Sequence, residues 1–141
     1  MHLRSVVPLA ADATAPPWRP GSFDRVLVDA PCSGLGVLRR RAEARWRIRP
    51  DDVVRVVPVQ RALLATAAAA VRPGGTVVFA VCTFAVEETV EIDAWAADAL
   101  PELEAQPPPG APWQPLGRGA LLPPTAAGTD AMYALVLRRT I

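Results

Sequence analysis

The chain is 141 residues long, about the size of one domain, with a hydrophobic fraction of 51% and a net charge of +1, which is enough material for a buried core. Two cysteines cannot make a disulfide scaffold, and one histidine, His2, leaves no Cys/His cluster of metal-ligand spacing, so a structural zinc site is not expected. No uninterrupted apolar run approaches the ~20 residues that span a bilayer, and Met1-His2-Leu3-Arg4-Ser5 lacks the basic-then-apolar layout of a signal peptide; the expectation is a cytoplasmic protein with neither a membrane nor a metal partner.

In chain order, residues 5–10 read as a strand, with Pro8 marking an edge or a strand end. Asp12 follows at its carboxyl end, and 13–21 is a Pro-rich loop. Val26-Leu27-Val28 is the continuous apolar run of a strand covered on both faces. It stops abruptly at Asp29-Ala30-Pro31-Cys32-Ser33-Gly34, where Asp, Pro, Ser and Gly supply turn chemistry. Residues 37–57 are basic and weakly periodic. Pro58 suits the first turn of a helix over 58–71, which Pro73-Gly74-Gly75 would stop. Residues 76–81 form the clearest strand, with Cys82 at its end. A second helix is predicted over about 86–100, with Glu87 and Glu88 in its first turn and Val86, Val90, Ala94 and Ala97 on one face, widened by Ile92 and Trp95. Residues 106–124 hold seven prolines and three glycines and read as a surface loop. Residues 132–137 close the chain as a strand. The order β, β, α, β, α, β implies a parallel α/β sheet with a final antiparallel strand.

The charge is unevenly placed. All fifteen cationic side chains are Arg, and residues 39–61 carry eight of them against three acidic residues, a net of +5 that leaves −4 elsewhere. Arg39, Arg40, Arg41 and Arg45 beside Trp46 fit a phosphate-rich partner, because Arg forks to phosphate and stacks on bases; a solvated helical face is the alternative.

If the helix over 58–71 joins neighbouring strands about 4.8 Å apart, both thiols emerge on one edge of the sheet, within a few ångströms to about 10 Å of each other. Ligands and reacting groups of open α/β sheets collect at such strand ends. Three uses compete: small buried fillers, a redox pair without the usual CxxC spacing, and covalent catalysis on an electrophilic ring, one Cys attacking and the other assisting release.

Asp29-Ala30-Pro31-Cys32-Ser33-Gly34, followed by Gln60-Arg61-x-Leu63-Leu64, Pro73-Gly74-Gly75, Cys82-Thr83 and the closing Gly128-Thr129-Asp130-Ala131-Met132-Tyr133, resembles the RsmB/Sun-type RNA cytosine-C5 methyltransferases over about residues 5–139. The resemblance implies a partial Rossmann-like class I methyltransferase sheet running from the third strand to the last. It implies that the residue matching Cys82 attacks carbon 6 of a cytosine, that the one matching Cys32 helps remove the carbon-5 proton and free the enzyme, and that the one matching Asp29 holds the cytosine's polar edge. S-adenosylmethionine is the implied cofactor, contacted at Asp12 and Asp29, and RNA the implied partner, ribosomal RNA first.

Two departures stand out. The family's Thr before the nucleophile is Val81 here, in Ala80-Val81-Cys82-Thr83-Phe84. The Pro-Gly-Gly-Lys cofactor loop and the acidic ribose-binding position are missing, and Pro73-Gly74-Gly75 follows a helix and cannot replace that loop. Residues 1–141 are therefore expected to be the carboxyl-terminal part of a catalytic domain without its first two strands. Strand 26–29 would then present an open apolar edge, and a chain carrying the amino-terminal half is a further expected partner. A non-catalytic RNA-binding remnant and a subunit that completes another chain's sheet are the alternatives.

Overall fold

The apolar runs of the sequence become strands of one sheet in a computed structural model that describes residues 5–141; His2 lies outside the described residues. In chain order the elements are β1 (Phe23–Asp29), α1 (Pro50–Ala70), β2 (Val71–Val81), α2 (Val90–Ala99), β3 (Leu103–Ala105), β4 (Gln114–Leu116), β5 (Gly119–Leu122), α3 (Pro124–Ala127) and β6 (Met132–Arg139), with 3-10 turns at Leu35–Val37, Ala42–Trp46 and Val86–Glu88.

β1 and β2 are parallel neighbours, Val26 opposite Val77 and Asp29 opposite Ala80, joined by α1 as crossover. β6 runs antiparallel to β2, as expected of the closing strand, with Val77 opposite Leu137. The strand order is β1-β2-β6-β5-β4, and β3 also pairs with β6. Alternation of side chains along the strands puts Val28, Val77, Phe79, Val81, Tyr133, Leu135 and Leu137 on one face. There they meet Leu64, Ala67 and Ala68 of α1 and Ile92 and Ala96 of α2. The small alanines bring α1 close to the sheet. α1 is also long and apolar enough, by length and composition, to cross a membrane; a buried crossover helix of this kind has the same composition, and its inner face is committed to the core.

The sequence expectations need six corrections. Residues 5–10 have no regular structure and are exposed; among the described residues no strand lies beyond β1 to pair with them, and Pro8 lacks a donor. β1 is covered on one face only: Leu27, in register with Val78 and Val136, points to the other face and is 69% exposed. The open apolar edge expected of this strand is present, since β1 ends the strand order. α1 begins at Pro50, not Pro58, because Asp52 accepts the Arg49 N–H at 2.9 Å and Asp51 and Asp52 favour its positive end; Pro58 lies within the helix. Pro73-Gly74-Gly75 sits inside β2 as a bulge opposite the start of β1, with Gly74 at φ +76°. The second helix is broken at Thr89, so α2 buries Ile92, Asp93 and Ala96, while Val86, Ala94 and Ala97 are exposed. The predicted loop 106–124 contains the β4–β5 hairpin, with Pro115 tolerated because β4 is an edge strand.

Candidate active site

The parallel pairing of β1 and β2 brings two chain turns to one sheet edge. The Ala30 N–H donates to the Ala80 carbonyl at 3.1 Å, extending the ladder one residue beyond β1. Pro31 then stiffens the exit, and Gly34, at φ +71°, allows the left-handed turn into the following 3-10 turn. Cys32 and Cys82 meet there with their Sγ atoms 3.3 Å apart, both half-buried. Burial pushes the Cys32 thiol up to about 12, and the hydrogen bond to Cys82 and the charge Cys82 carries when ionised push in the same direction. The contact thus disfavours ionisation of both sulfurs at once, and the Cys32 thiol is held protonated.

Gly36 fixes this arrangement against β6. Its N–H donates to the Cys82 carbonyl and its own carbonyl accepts the Ala131 N–H, both at 3.0 Å. A Cβ at position 36 would stand 2.5 Å from the Ala131 oxygen and 2.8 Å from the Cys82 oxygen, so only glycine permits the approach.

Beneath the thiols lies a fully buried carboxylate. Glu88 accepts the Ser33 N–H at 2.9 Å, the Gln60 amide at 2.8 Å, the Thr83 hydroxyl at 3.2 Å and the Ser33 hydroxyl. Gln60 also donates to the Pro31 carbonyl at 2.9 Å. Glu88, read from sequence as a first-turn residue favoured by the helix dipole, is in fact turned inward, in a 3-10 turn at Val86–Glu88 that packs against α1. Gln60 was visible only as part of a quoted motif, and nothing in the pattern announced that it faces this carboxylate.

Above the thiols opens a cleft of ≈ 680 Å³ lined by Asp29, Cys32, Cys82, Arg40, Arg41 and Asp130, among others. Arg40 pairs with Asp130 at 3.2 Å, which ties the basic segment to the residues before β6. Arg39, Arg45 and Trp46 do not line the cleft; Trp46 is 85% exposed on the neighbouring surface.

Asp12 stands apart from both thiols. Its exposed carboxylate accepts the Thr14 N–H at 2.8 Å and the Thr14 hydroxyl at 2.7 Å, which hold its pKa below the ordinary value. Asp29 borders a smaller cavity of ≈ 240 Å³ with Ala13, Trp18 and Leu63. These residues do not by themselves enclose S-adenosylmethionine: Asp12 and Asp29 are both exposed, and among the described residues no strand flanks β1 to close a nucleoside pocket.

A family model described as 16S rRNA methyltransferase RsmB/F matches residues 1–138. The chain belongs to this RsmB/F family. The Mycobacterium tuberculosis protein Rv1407, named a methyltransferase by inference, is 49% identical over 121 residues, which are 83% of this chain and 26% of that protein. Ribosomal RNA small subunit methyltransferase B of Thermus thermophilus is 37% identical over 121 residues, 85% of this chain and 30% of the relative. The RsmB/F chain described here thus spans about a quarter to a third of the length of these relatives. Among solved structures, the protein PH0851 superposes with a TM-score of 0.80 at 30% identity, covering 85% of this chain and 27% of that one. A methyltransferase homolog protein from Pyrococcus horikoshii superposes at 0.68 with 25% identity, over 84% and 39%. The partial Rossmann-like methyltransferase sheet expected from sequence is therefore the fold of this RsmB/F chain.

Proposed function

We propose that this chain is the catalytic side of an RNA (cytosine-C5) methyltransferase, competent when an amino-terminal half supplies the rest of the sheet and the S-adenosylmethionine pocket. The observation that carries the reading is the 3.3 Å contact between Cys32 and Cys82 at the floor of a cleft that also holds Asp29 and two arginines. Membership of the RsmB/F family supports RNA methylation. So does the name of a further relative, the tRNA (cytosine(72)-C(5))-methyltransferase NSUN6 of Mus musculus, 41% identical over 92 residues.

Carbon 5 of cytosine is a poor nucleophile. Addition of the Cys82 thiolate to carbon 6 pushes electron density onto carbon 5, where a methyl group can be accepted. Asp29, exposed at the β1 end and lining the cleft, is within the wall where the polar edge of a flipped base would lie. Once Cys82 is a thioether it no longer carries charge or accepts a proton, so two of the three causes that hold Cys32 protonated disappear. Cys32, which lines the open cleft, can then lose its proton to solvent and, as thiolate, take the proton from carbon 5. The electron pair re-forms the ring double bond and expels Cys82 as thiolate. Arg40 and Arg41 at the cleft, with Arg39, Arg45 and Trp46 on the adjoining surface, supply phosphate and stacking contacts for single-stranded RNA, ribosomal RNA being the family's substrate class.

The test is a mixing experiment. The chain, a fragment carrying the missing half, S-adenosylmethionine and RNA containing 5-azacytidine are combined and resolved on a denaturing gel. A covalent RNA–protein adduct that disappears in Cys82→Ala is expected; no Cys82-dependent adduct would sink the catalytic reading.

A further inference from the structure

The two thiols lie on separate turns, 50 residues apart in sequence, and backbone pairing alone leaves their side chains free to splay. Glu88 joins the residues that follow each of them. Its Oε1 takes the hydroxyls of Ser33 and Thr83, and its Oε2 takes the Ser33 N–H and the Gln60 amide. Four donors match the four lone-pair sites of a carboxylate, so this fully buried polar group is satisfied. Gln60 extends the tie to Pro31, the residue before Cys32.

We propose that Glu88 is a positioning residue for the reacting pair: by holding Ser33 and Thr83 on one carboxylate it sets the separation of the Cys32 and Cys82 sulfurs. The proposal rests on the reading of those cysteines as the reacting pair. Its geometry can be measured without RNA or methyl donor. The Ser33 and Thr83 hydroxyls also lie 3.0 Å from each other, but each has a single proton, and with both donated to Glu88 their mutual contact carries no hydrogen bond of its own; Gly36 fixes only the Cys82 backbone. Loss of the carboxylate leaves the Ser33 N–H and one of the two Gln60 amide N–H groups without an acceptor in the interior, so the turn carrying Cys32 shifts to find other partners.

Sulfur separation is read by dithiol closure on the full chain with one equivalent of 4,4′-dipyridyl disulfide. One protein thiolate attacks the reagent, forming a mixed disulfide and releasing the first thiopyridone. The second thiolate attacks the protein sulfur of that bond, forming the Cys32–Cys82 disulfide and releasing the second thiopyridone. The reagent is reduced by two electrons and the thiol pair oxidised by two. The unaltered chain should release both equivalents. Glu88→Ala should slow the second release at least tenfold, and Thr83→Val should slow it by a smaller factor. Asp93→Asn, which perturbs a different buried carboxylate, should lower stability without slowing closure.

Closure at the unaltered rate in Glu88→Ala, or equal slowing in Asp93→Asn, overturns the proposal. If Glu88→Ala loses its circular dichroism, the Ser33→Ala/Thr83→Val double variant decides, and unchanged closure there overturns it equally. A missing RNA adduct alongside Glu88-dependent closure would remove the methyl-transfer reading and leave the clamp standing.

Discussion

At the scale of single residues, the roles proposed for the two thiols rest on how tightly Cys32 holds its proton. Burial and the neighbouring sulfur raise Cys32 from an ordinary 9.0 to about 12. At a pH of about 8, iodoacetamide should therefore alkylate Cys82 before Cys32, because the thiolate is the reactive form; peptide mapping after limiting reagent checks this, and equal labelling would count against the assignment. The same shift couples folding to pH. The unfolded thiol ionises near 9 and the folded one only near 12, so stability present below about 9 is lost as pH rises through that window. Tyr133 is raised by burial and acts in the same sense. Cys32→Ser should flatten, but not abolish, the fall in urea midpoint measured between pH of about 8 and 10.5. Gly36→Ala should destabilise by about 1–3 kcal/mol, the ordinary cost of forcing an atom into a filled site, here against two backbone oxygens. Thermal unfolding measures it. Both thiols and Asp29 were legible in the sequence, since strand ends and turn residues are local signals. Glu88 was not, because two of its partners, Ser33 and Gln60, come from segments distant in the chain.

At the scale of elements, local chemistry located the strands better than the helix faces. β2 and β6 could be read from their apolar runs, and the antiparallel direction of β6 was anticipated. α2 was misread because the periodicity counted from Val86 runs through Thr89, whose backbone (φ −121°, ψ −87°) breaks the helix and resets the face. The reset buries Asp93, which accepts the Arg118 backbone N–H and Nε at 2.7 Å each and so pins the β4–β5 hairpin onto α2. The hairpin itself was hidden by its prolines and held by this distant charge pair. Arg118→Ala removes one of those two contacts; with the guanidinium partly exposed, the expected loss is about 1–2 kcal/mol in urea unfolding. Unchanged stability would mean that the hairpin is held by β5–β6 pairing alone.

At the scale of the whole molecule, helices cover one face of the sheet, and β1 ends it with Leu27 open to solvent. That arrangement explains why residues 5–10 could read as a strand yet form none: a strand signal becomes a strand only beside a partner, and among the described residues none lies beyond β1. Leu27→Lys should reduce self-association in analytical ultracentrifugation, because it places a charge on the apolar strand that ends the sheet. The central claim is that Cys82 attacks and Cys32 releases. It is tested most directly by incubating the chain, completed by its amino-terminal half, with unmodified substrate RNA and S-adenosylmethionine and measuring covalent RNA–protein complex on a denaturing gel. The account predicts that Cys32→Ala accumulates the trapped complex while Cys82→Ala forms none; equal trapping by the two variants would contradict it.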